Sequence, residues 1–103
     1  MAEQFEYHFE WDPDKAERNA KDHGVTFDQA ATVFLDTSMM SQFDEEHGDE
    51  EERWISLGLD KAARLLVVCH TYRAIAKTSA NVRIFSARKA TQREARDYGK
   101  PKP

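Results

Sequence analysis

The sequence predicts an α+β protein: a largely antiparallel sheet of four to five strands, with two helices near the N-terminus and one near the C-terminus. Three observations predict it. Apolar and polar residues alternate at a period of two in Phe5–Trp11, and Val82–Ala87 reads as an extended segment with Arg83 between Val82 and Ile84, whereas Phe27, Ala30, Ala31 and Phe34 follow at the i, i+3, i+4, i+7 spacing of a helix face. Helix starts are marked by Asp12-Pro13 and by two capping boxes, Thr26-x-x-Gln29 and Thr91-x-x-Glu94. The last strands are joined by turns too short for a crossover, so they run antiparallel.

Phe5, Tyr7, Phe9 and Trp11 share one face of the first strand and Glu6, His8 and Glu10 the other, a half-buried pattern that leaves His8 solvated. Asp12 caps a helix that ends at Gly24, a residue suited to the left-handed position after a helix. Only Ala16 and Ala20 are apolar in it, which predicts shallow packing. The Thr26 box opens the second helix, and Asp36–Phe43 reads as a modest strand. Residues 44–52 hold seven carboxylates in nine positions, with His47 among them, which predicts a mobile loop.

Arg53–Leu59 and Arg64–Tyr72 read as strands around a turn at residues 60–63. The second contains the unbroken run Leu65-Leu66-Val67-Val68-Cys69, which predicts burial on both faces and a central position in the sheet. Ala74–Asn81 reads as a loop. Val82–Tyr98 is a strand running into the last helix, with Val82, Ile84 and Ser86 assigned to one face and Arg83, Phe85 and Ala87 to the other. The free N–H groups of that helix, next to Arg88 and Lys89, would suit a phosphate. The 103 residues predict a single domain with frayed ends at 1–4 and 99–103.

One cysteine, Cys69, excludes an internal disulfide and reads as a small buried hydrophobe. No apolar run reaches the roughly 18 residues of a membrane span, and the acidic start does not resemble a signal peptide, so a cytoplasmic protein is expected. The net charge of −4 hides an asymmetry: residues 1–60 carry 17 Asp or Glu against 4 Lys or Arg, and residues 61–103 carry 2 against 11. Such a second half would meet a polyanion, unless the fold interleaves the halves so that their charges cancel locally.

Phosphate loops, dinucleotide fingerprints, Cys-x-x-Cys pairs and nucleophile elbows are all missing, which removes most large enzyme classes. The acidic stretch lacks a ligand spacing such as His-x-x-x-His, so neither a metal site nor a cofactor is expected. His70, at the polar exit of the central strand, and the arginines at 53, 73, 83 and 88 fit metal-independent RNA cleavage. In that reaction a 2′-hydroxyl attacks its own phosphodiester. Histidine suits either proton step, and arginine suits the charge on the phosphoryl oxygens. Arg83 and Arg88 are an odd number of residues apart, so they share a face only across a bulge or a strand end.

Phe9-Glu10-Trp11-Asp12-Pro13 with Lys15 and Asn19, then Asp22-His23-Gly24-Val25 with Phe27 and Ala30, resembles the opening of the BrnT family of bacterial type II toxins. Glu52-Arg53, Gly58, the Leu-Val-Val run leading to His70-Thr71 and Arg73, and Arg83-Ile84-Phe85-Ser86-Ala87-Arg88-Lys89-Ala90 with Glu94 and Tyr98 look like the rest. Asp22 stands where such family members usually carry lysine beside the histidine. The resemblance implies a RelE-like fold, ribonuclease activity that arrests growth, and neutralisation by a BrnA-type antitoxin. DNA would be met only through the antitoxin complex, which represses the shared operon.

The expected site therefore has His70 as general acid or base, with His23 as a second proton-transfer candidate. Arg83 and Arg88 would be ligands of the phosphate and transition state, and Arg53, Arg73 and Lys89 substrate contacts. The rival expectation is a non-catalytic interaction module of the same fold, motivated by the acidic loop.

Overall fold

The structure, a computed structural model, describes residues 4–46 and 52–99, and its helices begin where the caps place them. In chain order it contains β1 (Glu6–Glu10), α1 (Pro13–His23), α2 (Phe27–Ala31), a 3-10 turn (Thr32–Leu35), β2 (Met40–Phe43), β3 (Arg53–Leu59), β4 (Leu65–Thr71), β5 (Arg73–Ala76), β6 (Ser79–Lys89) and α3 (Gln92–Asp97). The Asp12 side chain accepts from the Asp14 amide, and Gly24 closes α1 at φ 68°. Both capping boxes form reciprocally, at Thr26 with Gln29 and at Thr91 with Glu94.

Six strands make one mixed sheet in the order β1-β6-β4-β3-β2, with β5 also paired to β6. β4 is central, as its apolar run predicts. Residues 74–81 are not a loop: β5 and the start of β6 form a hairpin turning at Lys77 and Thr78. All four residues of β5 are exposed, so its sequence carries no buried alternation to betray it. The strand expected from Asp36 starts only at Met40, because Asp36 is held in a turn by bonds from the amides of Ser38 and Leu59 and from the Tyr98 hydroxyl. His47, with residues 48–51 of the acidic stretch, lies outside the described residues.

The core fills the space between the helices and one face of the sheet. Val25, Phe27, Ala30, Val33 and Phe34 pack on Leu66, Val68, Val82, Ile84 and Ala87, with the β1 aromatics Tyr7 and Phe9 and nearby Trp11 at its border. Gly58 allows the close approach of the 3-10 turn, since a Cβ there would stand 2.8 Å from Val33 Cγ1. Leu35, by contrast, points to solvent and is 77% exposed.

A bulge in β6 changes the expected faces. Cys69 pairs with Ser86 and His70 with Ile84, which leaves Phe85 without a partner in β4. Val82, Ile84 and Ala87 consequently all enter the core, and Arg83, Phe85 and Arg88 share the opposite face. Ala87 is therefore on the side first assigned to Ser86.

Next to the bulge, β6 runs past its last pairing with β1, Glu10 with Arg83, and has no strand on that side. Asn19 of α1 takes the place of one. Its side chain donates to the Ala87 and Val25 carbonyls at 2.8 and 2.9 Å and accepts from the Ala87 amide at 3.1 Å. The helix that looked only shallowly packed is thus anchored by a buried amide.

Asn19→Ala would leave three buried backbone groups without partners, so we expect a loss of about 3 kcal/mol in urea unfolding. A loss below about 1 kcal/mol would mean that solvent replaces the amide.

Candidate nucleic-acid interface

Three cations from three elements converge on one ring. The Arg53 guanidinium lies 4.3 Å from the Phe85 centroid, the Lys15 ammonium 5.4 Å and the Arg83 guanidinium 5.9 Å, all within cation–π range. Ordinary alternation along β6 puts Phe85 and Arg83 on this face, and α1 and β3 bring the other two charges. Attraction to the ring offsets part of their mutual repulsion, and an anion bound between them would offset more.

Arg83 also lines a cleft of about 680 Å³ with Arg73, Thr71, Tyr72, Glu10 and Glu52. The cleft joins the edge where β1 meets β6 to the exit of β4. Glu10 is opposite Arg83 in the parallel β1–β6 pairing, so the acidic half of the chain contributes carboxylates to a basic site. Here the fold interleaves the two charge blocks.

His70 does not line this cleft. It is 2% exposed, on the core side of β4, with its ring edge-on to Phe34 at 4.8 Å between centroids. Nδ1 is 2.9 Å from the Thr71 carbonyl oxygen, which can only accept, so this nitrogen carries a proton. Nε2 is 2.7 Å from the Ser56 hydroxyl, itself 2.7 Å from the hydroxyl of Ser41. A neutral imidazole satisfies the whole relay: Ser41 donates to Ser56, Ser56 to His70, and His70 to Thr71. Burial lowers the His70 pKa below its ordinary 6.5, and the bond to the Thr71 carbonyl only partly opposes that.

Arg88 faces the same side as Arg83 but is engaged elsewhere. Its guanidinium grips Glu94 of α3 with two bonds of 2.8 and 2.9 Å. This pair, with the Thr91 amide and hydroxyl, holds the Glu94 carboxyl down to about 2. Glu94 thereby occupies the end of α3 where a phosphate was expected. Lys89 is exposed at the end of β6, and His23 is exposed as the last residue of α1; neither lines the cleft. Of the residues named from sequence, the structure brings Arg53, Arg73 and Arg83 together and leaves His70, Arg88, His23 and Lys89 apart.

The family described as "Ribonuclease toxin, BrnT, of type II toxin-antitoxin system" matches residues 11–94. The chain belongs to this family. Among solved structures it resembles the 1.1 Å crystal structure of the Brucella abortus ribonuclease toxin BrnT, with a TM-score of 0.54 and 18% identity over 84% of this chain and 97% of that one. At that identity the likeness speaks for the fold, and the α+β class with its three helices agrees. No curated protein sequence matches the chain. Membership makes this BrnT protein a ribonuclease toxin with an RNA target and an antitoxin counterpart. Among the described residues no helix is long and apolar enough to cross a membrane.

Sequence reasoning passed over Lys15, Phe85, Glu10, Glu52 and Tyr72 as site residues. An aromatic two positions from an arginine on one strand face was a usable signal for Phe85. The parallel pairing that puts Glu10 beside Arg83 had none. Cys69 is a free thiol, half buried on the outer face rather than in the core.

The depressed His70 pKa fixes a pH dependence. Well above 6.5 the folded and unfolded imidazoles are both neutral; below it the unfolded chain takes up a proton that the folded chain resists. Stability should therefore fall as pH drops through and below 6.5, and His70→Gln should flatten that stretch of the curve while lowering stability at neutral pH. Chemical unfolding of both proteins across this range checks it; parallel curves would contradict the buried neutral state.

Proposed function

We propose that this BrnT protein is a metal-independent endoribonuclease whose reaction takes place in the cleft of Arg73, Arg83, Glu10 and Glu52, and that it arrests growth by degrading RNA. The observation that carries the reading is the convergence of Lys15, Arg53 and Arg83 on Phe85, with Arg83 also lining that cleft. Cations gathered at one spot, beside carboxylates that can take a proton, match what phosphodiester cleavage requires.

In this reading the 2′-oxygen of a bound nucleotide attacks the adjacent phosphorus, the bond to the 5′-oxygen of the next nucleotide breaks, and a 2′,3′-cyclic phosphate and a 5′-hydroxyl result. Glu52, next in sequence to Arg53, accepts the 2′-hydroxyl proton, with Glu10 as its alternative in the same cleft. Arg83 and Arg73 hold the non-bridging oxygens as their negative charge grows. Arg53 and Lys15 position the neighbouring phosphates, which fix the register of the strand. Tyr72, which lines the cleft, returns a proton to the leaving oxygen. His70 supports the exit of β4 as a buried neutral group. Arg88 braces α3 through Glu94, and Lys89 and His23 lie on the periphery.

Among the described residues no three His, Cys, Asp or Glu side chains gather as a metal site would. The counterpart is an antitoxin of the BrnA type, and the setting is the cytoplasm.

Purified protein incubated with RNA in excess EDTA should cleave at an undiminished rate and leave cyclic phosphate ends. Arg83→Ala and Glu52→Gln should each lower kcat/KM by about 10²–10³-fold. His70→Gln, assayed well below its melting temperature, should stay within about threefold, since the reading gives His70 no step in the chemistry. Loss of cleavage with the chelator, or a His70→Gln defect as deep as that of Arg83→Ala, would overturn this mechanism. A chain inert towards RNA under all these conditions would instead be a binding module.

A further inference from the structure

Behind Tyr72 the cationic cleft gives way to a hollow of different character. Its volume is about 230 Å³, and Tyr7, Phe34, Trp54 and Tyr72 supply aromatic walls, with Ser41 and His70 among its polar groups. No residue lining it carries a full charge except His70, whose burial keeps it neutral. Tyr72 lines both spaces. It stands between the end of β4 at Thr71 and the start of β5 at Arg73, so the chain itself joins the phosphate-sized cations to the aromatic hollow.

The geometry points to a nucleobase pocket: one base of the RNA strand whose backbone occupies the cleft enters this hollow and sets the base preference of cleavage. The inference rests on the cleft being the RNA site. Drug-sized ligands occupy pockets from roughly 300 Å³ upwards, so a space this small suits one planar ring system and not a whole nucleotide. Aromatic side chains are the usual walls for unstacked bases in single-stranded RNA.

The polar groups favour a heteroaromatic ring over an apolar side chain of a protein. The Tyr7 hydroxyl, its pKa raised by burial and by neighbouring Tyr72, remains an O–H. Ser41 gives its proton along the relay to Ser56 and keeps its lone pairs. A leucine or phenylalanine from a partner would meet none of these needs. A base brings carbonyl oxygens, ring nitrogens and amino groups at its edge.

The chain has two tryptophans. Trp11 packs on Phe27 away from the pocket, so Trp11→Phe leaves Trp54 as the sole emitter. In that background, 2′-O-methyl trinucleotides of each base, which lack the attacking hydroxyl, are titrated against an abasic trinucleotide of equal charge. We expect a saturable change in Trp54 emission with at least one base-bearing trinucleotide. Its affinity should exceed that of the abasic strand by about tenfold or more, the abasic affinity being read by anisotropy of an end label.

Ser41→Leu, on the exposed edge strand β2, should fill the hollow, remove the base dependence and leave abasic binding unchanged. Arg83→Ala should weaken both. Equal affinities for abasic and base-bearing strands on the unsubstituted pocket would overturn the nucleobase pocket and leave the cleft as an RNA site. Failure of every trinucleotide to bind would overturn the cleft reading and the pocket with it.

Discussion

The single extra residue at Phe85 is the constraint on which the rest of this structure depends. A β-strand alternates its faces without exception until a bulge resets the count. In β6 the reset lets Val82, Ile84 and Ala87 close one core while Arg83, Phe85 and Arg88 emerge together on the other side. Beyond the end of β1 the outer edge of β6 lacks a ladder partner, and the Asn19 amide provides for Ala87 there across 68 residues of chain. A helix with two alanines as its apolar content is thereby tied to the strand that carries the site. The position of Lys15, one turn earlier in the same helix, follows from that anchor.

The two faces of the sheet do different work. On the helix side, packing and a closed chain of hydroxyl and imidazole bonds make a rigid support, with His70 held neutral because a buried charge there would lack a counter-ion. On the open side, charges stand close to one another, with the Phe85 ring and the carboxylates of Glu10 and Glu52 among the groups near them. An arrangement of that kind gives up stability for affinity towards an anion, and it is tolerable only on a scaffold that cannot relax away from it. In the proposed reading that anion is RNA, the target of the ribonuclease toxin family to which the chain belongs.

Arg88 shows how the same residue type serves a different end five residues along the strand. Its fork closes on Glu94 in the bidentate geometry that guanidinium and carboxylate share, and the capping box fixes the carboxylate from the other side. Tyr98, hydrogen-bonded to Asp36, secures the far end of α3. The C-terminal helix is thus fastened at both ends by charged or polar groups and buries no residue completely.

The sequence alone determined the local structure: both capping boxes, the Asp12 and Gly24 ends of α1, the extent of β3 and the central place of β4, because each rests on bonds or burial patterns within a few residues. It also named Arg53, Arg73 and Arg83 together, and the fold brings Arg53 and Arg83 to one ring and Arg73 and Arg83 to one cleft. Only the tertiary structure decided that His70 faces the core, that Arg88 is engaged by Glu94, that Glu10 lines the cleft and that Lys15 reaches Phe85. Those outcomes turn on a one-residue slip in β6, a parallel pairing between the first strand and the last, and an amide reaching across the fold. Each is a contact between distant segments, which no local period records.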